Sequence, residues 1–331
     1  METLTNDAPE TKRQRLDYLP VSLFGSVMGL VGLSVAWNEA TSVYGLPVVI
    51  GNGISVVAVL VFVALALSYG YKCLTAWESV KAEFHHPISG NLFGTVLISL
   101  LLLPIVLVHA SHLLALGVWT IGAIGMVLFA WLIVSRWMDN RQQIVHATPA
   151  WIIPVVGLLD LPLAMPVLGL PASSELGLFA LAVGLFFAVP LFTLIFARLL
   201  FEAPMAKNQL PSLMILVAPF AVGYSTYTTV TGGHDTFAAG LYMLTLFVLV
   251  ILFRQMRNLS SCCPFRVSWW AVSFPLAASA ICALRFASAN PGLFTDGIAS
   301  LLLGVVSIVI PGLFLRTLKG LLCGELRALS S

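Results

Sequence analysis

Residues 268–284 read SWWAVSFPLAASAICAL, a run without a charged residue and with a proline, Pro275, near its centre. In a helix surrounded by water such a proline would cost about 3 kcal/mol. In a membrane, neighbouring helices can satisfy the backbone groups it frees. The fold therefore turns on which solvent the chain is built for. Of 331 residues, 59% are hydrophobic and 9% charged, with mean hydropathy +1.00. A soluble domain carries roughly 25% charged residues. Lipid is the solvent of such a chain, and the run is a membrane span.

A helix crosses the hydrocarbon core in about 20 residues. Windows of that kind fall near 18–38, 47–71, 92–109, 113–136, 148–169, 176–200, 211–231, 236–256, 267–288 and 294–316. The sequence thus predicts an all-α integral membrane protein with ten transmembrane helices. Residues 1–17, METLTNDAPETKRQRLD, lack the apolar core of a cleaved signal and read as a cytoplasmic tail. The membrane domain then covers 18–322, and 323–331 forms a cytoplasmic C-terminal tail. With the N-terminus inside, Arg285 is the one Lys or Arg of the 16 that falls on the outer side. This is the bias of the positive-inside rule, and a missed span would scramble it.

Several function classes drop out. Net charge +2, with no basic and aromatic surface, argues against a nucleic-acid partner. The five cysteines form no CxxC pattern, so neither a zinc site nor a redox motif is expected. Cys262 and Cys263, at a membrane edge, are either acylated or inert thiols. His109 and His112 lack the spacing of a metalloprotease, and His85 and His86, near Glu78 and Glu83, suit loop capping better than metal binding. No phosphate loop, nucleophile elbow or catalytic carboxylate pair is present, so no enzyme, cofactor or metal is expected.

The prolines mark a repeat. Pro104, Pro154, Pro219 and Pro275 sit centrally in the third, fifth, seventh and ninth windows, about one helical hairpin apart. The first window has no such proline, but Gly25, Gly29 and Gly32 loosen it at similar depth; Pro190 and Pro311, in even windows, blur the rule. Broken backbone at membrane depth belongs within protein or beside a cavity. The expected architecture is five helical hairpins in quasi-five-fold order, with an inner ring of kinked helices around a central pore.

Five stretches in this order, LFGSVMGLVGLSVAW, AEFHHP, TPAWIIPVVG, LVAPFAVGYSTY and WWAVSFPLA, span most of the chain. Together they resemble the tellurite-resistance/dicarboxylate transporter family, which includes the plant slow-type anion channels. The resemblance implies a homotrimer in the cell (inner) membrane, each protomer with its own anion pore plugged by a phenylalanine of the ninth span, here Phe274. It implies small inorganic or organic anions as permeant species: chloride, nitrate, sulfite, tellurite or C4-dicarboxylates. Val27 departs from the pattern, standing where some bacterial relatives are expected to carry a first-span proline.

If the residue before each proline is equivalent, Phe274 corresponds to Leu103, Ile153 and Ala218. Steps of seven or eleven residues return to the same helix face. They lead from Ile153 to Asp160, from Phe274 to Arg285, and from Ala218 to Ser225 and Thr229. All four are expected on the outer half of the axis. Arg285 either attracts anions at the outer mouth or snorkels from a helix end. Asp160 is paired with a cation, buried and protonated, or a proton-coupling acid. Ser22, Ser26, Ser99 and Ser273 either offer hydroxyls to an anion or serve close helix contacts. N–H groups at helix breaks are a further expected source of anion stabilisation. The leading expectation is a channel for small monovalent anions gated by Phe274. The alternative is a proton-coupled transporter of C4-dicarboxylates or oxyanions.

Overall fold

A computed structural model describes residues 16–256 and 263–330. Residues 1–15 of the expected N-terminal tail, and Cys262, lie outside them. Among the described residues there is no β-strand. The α-helices in chain order are α1 (Gly25–Tyr44), α2 (Val48–Thr75), α3 (Trp77–His85), α4 (Gly94–Leu102), α5 (Pro104–Leu107), α6 (His112–Asp139) and α7 (Ile153–Val156). They continue with α8 (Glu175–Phe201), α9 (Ala218–Thr231), α10 (Thr236–Met256), α11 (Ser273–Ala289), α12 (Leu293–Leu322) and α13 (Leu326–Ser330).

Nine helical stretches of the described residues are long and apolar enough to cross a membrane. The fifth window holds a shorter one, Pro149–Ala164. It is short in residues because it is mostly 3-10 helix: Pro149–Ile152 and Gly157–Ala164 flank the single α-turn of α7. At about 2.0 Å rise per 3-10 residue and 1.5 Å per α residue, it still covers roughly 30 Å.

The odd windows are composite. A 3-10 stretch leads into an α-helix at Val21–Phe24 before α1, Ser89–Phe93 before α4, Lys207–Val217 before α9 and Val267–Val272 before α11. Pro154, Pro219 and Pro275 therefore occupy first turns of α-helices, where proline's fixed φ suits the helix. The proline that looked like a fault in the middle of a span opens an α-helix. The third span departs from this scheme. Its transition lies at Gly94, and Pro104 opens α5 after a break at Leu103, ten residues later. Leu103 lies nine residues past that transition, whereas Ile153, Ala218 and Phe274 lie at or next to theirs, so the proline does not place Leu103 in their register.

The glycines of the first span also act differently from expectation, since α1 runs unbroken from Gly25 to Tyr44. A Cβ on Gly29 would collide with Ser273 Oγ, and one on Gly32 would lie 2.8 Å from Ala277 Cβ. These glycines let α1 and α11 lie backbone to backbone rather than loosening either. Pro190 and Pro311 sit inside α8 and α12 without ending them.

Burial separates the two kinds of span. Within their most apolar stretches the first, seventh and ninth spans are 72, 83 and 83% buried, whereas α2 is 11% buried. Trp270 and Tyr224 are enclosed; Leu67 and Leu74 of α2 face outward, where lipid acyl chains would meet them. Glu83 of α3 ties the start of the first span to α2. Its Oε1 accepts from Val21 N (2.7 Å), and its Oε2 accepts from Tyr69 Oη (3.0 Å) and Lys72 Nζ (2.8 Å). Lys72 Nζ also donates to Leu19 O (2.7 Å). Lys72 is buried, so its ammonium depends on these partners.

Candidate functional site

Five segments, one from each odd window, wall two cavities. The lower cavity, about 270 Å³, lies at the N-terminal ends of the composite spans and is lined by Ser22, Ser89, Ile153, Gln209 and Ser268 among others. The upper cavity, about 350 Å³, lies toward their C-terminal ends and includes Gly32, Leu102, Leu163, Ser225 and Arg285. Two side chains, Phe274 and Val222, line both. Phe274 is 8% exposed and stands where the cavities meet. Its position follows from the chain. The 3-10 to α transition at Ser273 starts α11, and Gly32 on the facing helix lets that helix come close; a Cβ there would lie 2.8 Å from Ala277 Cβ, one turn on from Phe274.

The polar residues expected along the axis divide. Ser22 lines the lower cavity, and Ser225 and Thr229 line the upper one. Ser26, Ser99 and Ser273 line neither. Ser26 donates to Leu23 O (2.7 Å), Ser99 to Thr95 O (2.7 Å) and Phe24 O (3.2 Å), and Ser273 to Trp270 O (2.7 Å) and Gly25 O (3.2 Å). These hydroxyls answer 3-10 and helix carbonyls at tight contacts. The helix starts do not offer free N–H groups either. Gly25 N donates to Leu23 O and Ser22 O, and Ser273 N to Trp270 O, because the 3-10 stretch continues into the helix. The expected contribution from exposed half-helix N-termini is therefore absent at these two starts.

Asp160 and Arg285, expected on one half, fall on opposite sides of Phe274. Asp160 lines the lower cavity and Arg285 the upper one. Ile153 and Asp160 both line the lower cavity, so the difference from expectation is one of depth and not of helix face. Thr226 Oγ1 donates to Leu159 O and Trp119 Nε1 to Leu161 O (3.1 Å), which fixes the backbone on either side of Asp160. Asp160 is buried, its Oδ1 has no hydrogen-bond partner among the described residues, and no ion pair there involves it. The expected cation partner is not found.

Arg285 is paired. Its Nε donates to Glu39 Oε1 (2.7 Å) and its Nη1 to Thr229 Oγ1 (3.3 Å). Glu39, Thr229 and Arg285 line both the upper cavity and an open vestibule beyond it. Glu39 was not expected here, because the apolar window of the first span stops at residue 38 whereas α1 runs on to Tyr44. An acidic residue just past a window's end, on a helix opposite an unmatched arginine, is the signal that would have found it. At the vestibule's rim, Asp235 follows His234; the Tyr227 hydroxyl and the Ala238 N–H hold its carboxyl below the usual carboxylate range.

Among known proteins, a family model described as SLAC1, voltage-dependent anion channel, matches residues 18–318. The S-type anion channel SLAH3 of Arabidopsis thaliana is 26% identical over 314 residues, covering 90% of this chain and 48% of SLAH3. The guard cell S-type anion channel SLAC1 of the same plant is 24% identical over 312 residues, 90% of this chain and 55% of that protein. The tellurite resistance protein TehA homolog of Haemophilus influenzae is 27% identical over 277 residues, 82% of each chain. The chain thus spans about half the length of the plant relatives it matches.

Proposed function

The chain belongs to the SLAC1 voltage-dependent anion channel family, and on that premise we propose that it is a channel for small monovalent anions such as chloride and nitrate, closed by Phe274. It is a multi-pass membrane protein of a family of channels and transporters. One observation carries the reading: Phe274 is shared by two cavities that together reach toward both ends of the composite spans. A ring across such a passage excludes water and ions. The walls are mostly apolar, with scattered hydroxyls at Ser22, Ser89, Ser225 and Thr229. Such walls bind an anion weakly, and weak binding suits fast passage. The quasi-five-fold ring of hairpins, the homotrimer, the inner-membrane location and cytoplasmic tails at both ends, 1–17 and 323–331, complete this reading.

The test is chloride efflux from proteoliposomes with pH recorded inside. Efflux that leaves internal pH unchanged supports the channel; efflux that carries protons in fixed proportion contradicts it.

A second reading is favoured by Asp160, which faces the anion path without a cation partner. An ionised carboxylate there would repel each passing anion, whereas a protonated one can donate a hydrogen bond to it and then release its proton to travel with it, to be reprotonated from the side the anion came from. This is the proton-coupled transport of C4-dicarboxylates or oxyanions. For a channel, Asp160→Asn changes chloride flux by less than roughly threefold. For a coupled transporter the same change abolishes pH-driven uptake of malate or tellurite.

A further inference from the structure

Among the described residues, Glu39 and Arg285 are the only Asp, Glu, Lys or Arg side chains lining the upper cavity, and also the only ones lining the vestibule beyond it. They come from different helices, α1 and α11, so no helical spacing forces them together. Each side chain is about one quarter exposed, 27% for Arg285 and 26% for Glu39. The pair is therefore wet enough to open and dry enough to matter. Among the described residues, the lower cavity has no lysine or arginine in its wall. Arg285 is thus the one Lys or Arg among the described residues on either cavity wall, and a carboxylate occupies it.

We infer that Glu39 sets the affinity of the upper mouth for anions by competing with them for the Arg285 guanidinium. The Nε–H held by Glu39 Oε1 is a charge-assisted donor of the kind that binds halide, nitrate or carboxylate. Thr229, which accepts from Nη1, keeps the guanidinium in the cavity wall when the carboxylate lets go. An arriving anion takes the carboxylate's place, and Glu39 re-forms the pair as the anion moves on. The carboxylate keeps the bound anion from becoming a trap, because conduction needs a site that also releases. Without Glu39 the same arginine would focus anions at the mouth and hold them longer. The inference deepens the anion-channel reading and rests on it.

The test uses full-length protein in planar bilayers, in the Phe274→Ala background, with chloride varied on each side in turn. Glu39→Gln keeps the size and hydrogen-bonding capacity of the side chain but removes its charge. It is expected to lower the half-saturating chloride concentration about 3- to 10-fold on one side only, with a lower maximal current. Arg285→Gln is expected to raise that concentration on the same side. The double variant should follow Arg285→Gln, since Glu39 acts through the arginine. Unchanged half-saturation on both sides in folded Glu39→Gln protein overturns the inference. So does a loss of current in both single variants with no change in half-saturation, the mark of a merely structural pair. If Phe274→Ala itself carries no anion current, the channel reading fails first and this inference falls with it.

Discussion

Phe274→Ala is expected to raise unitary chloride conductance at least about tenfold, which corresponds to removing roughly 1.4 kcal/mol of barrier. The ring lines two cavities of about 270 and 350 Å³, Val222 being the other side chain common to both, and alanine is expected to join them. An apolar constriction gates by keeping water out, so a wider passage wets and conducts. Large-to-small changes in a tight core cost about 3–5 kcal/mol. Here the ring abuts cavities on two faces, so fewer contacts are lost and the variant should fold. Phe274→Leu, which keeps an apolar side chain of smaller section, is expected to fall between wild type and alanine. Single-channel recording of the three proteins checks the order. An alanine variant that folds and conducts no more than wild type removes Phe274 from the gate.

Glu83→Ala is expected to cost about 3–5 kcal/mol of stability, the usual penalty for stranding one member of a buried ion pair. Lys72 has a side-chain exposure of 3% and Glu83 of 14%, so the ammonium left behind has little water to turn to. The loss extends to the first span, because Val21 N loses its acceptor just where Ser22 begins the wall of the lower cavity. Glu83→Gln should be milder, since an amide oxygen can still accept from Val21 N or Tyr69 Oη. Replacing both Lys72 and Glu83 with methionine should recover part of the loss by removing the stranded charge. Thermal unfolding in detergent measures all three variants. Equal melting points for Glu83→Ala and wild type would show that the cluster does not anchor the span.

Much of the fold could be read from composition and punctuation. The apolar windows correspond to nine long helices and a shorter tenth segment, and Pro154, Pro219 and Pro275 mark the starts of α-helices that wall the cavities. What the sequence hid was the helix type. A 3-10 stretch has no strong residue signature, yet it turns 120° per residue in place of 100°. Nor did the sequence show depth: Asp160 lines the lower cavity and Arg285 the upper one, and the third span's transition lies at Gly94, nine residues before Leu103. Serine was ambiguous for another reason. Ser22 and Ser26 lie one helical turn apart, yet one lines the cavity and the other closes on Leu23 O. Only tertiary packing distinguishes them. Glu39 escaped because hydropathy windows end where charge begins, whereas the helix does not.

The central claim is that anions pass between the two cavities once the ring of Phe274 is out of the way. The most direct measurement is the reversal potential of Phe274→Ala protein in a planar bilayer under a potassium chloride gradient. Reversal at the chloride equilibrium potential, unchanged when the pH differs across the bilayer, is the predicted result. Reversal at the potassium potential, or one that follows the pH gradient, would contradict it.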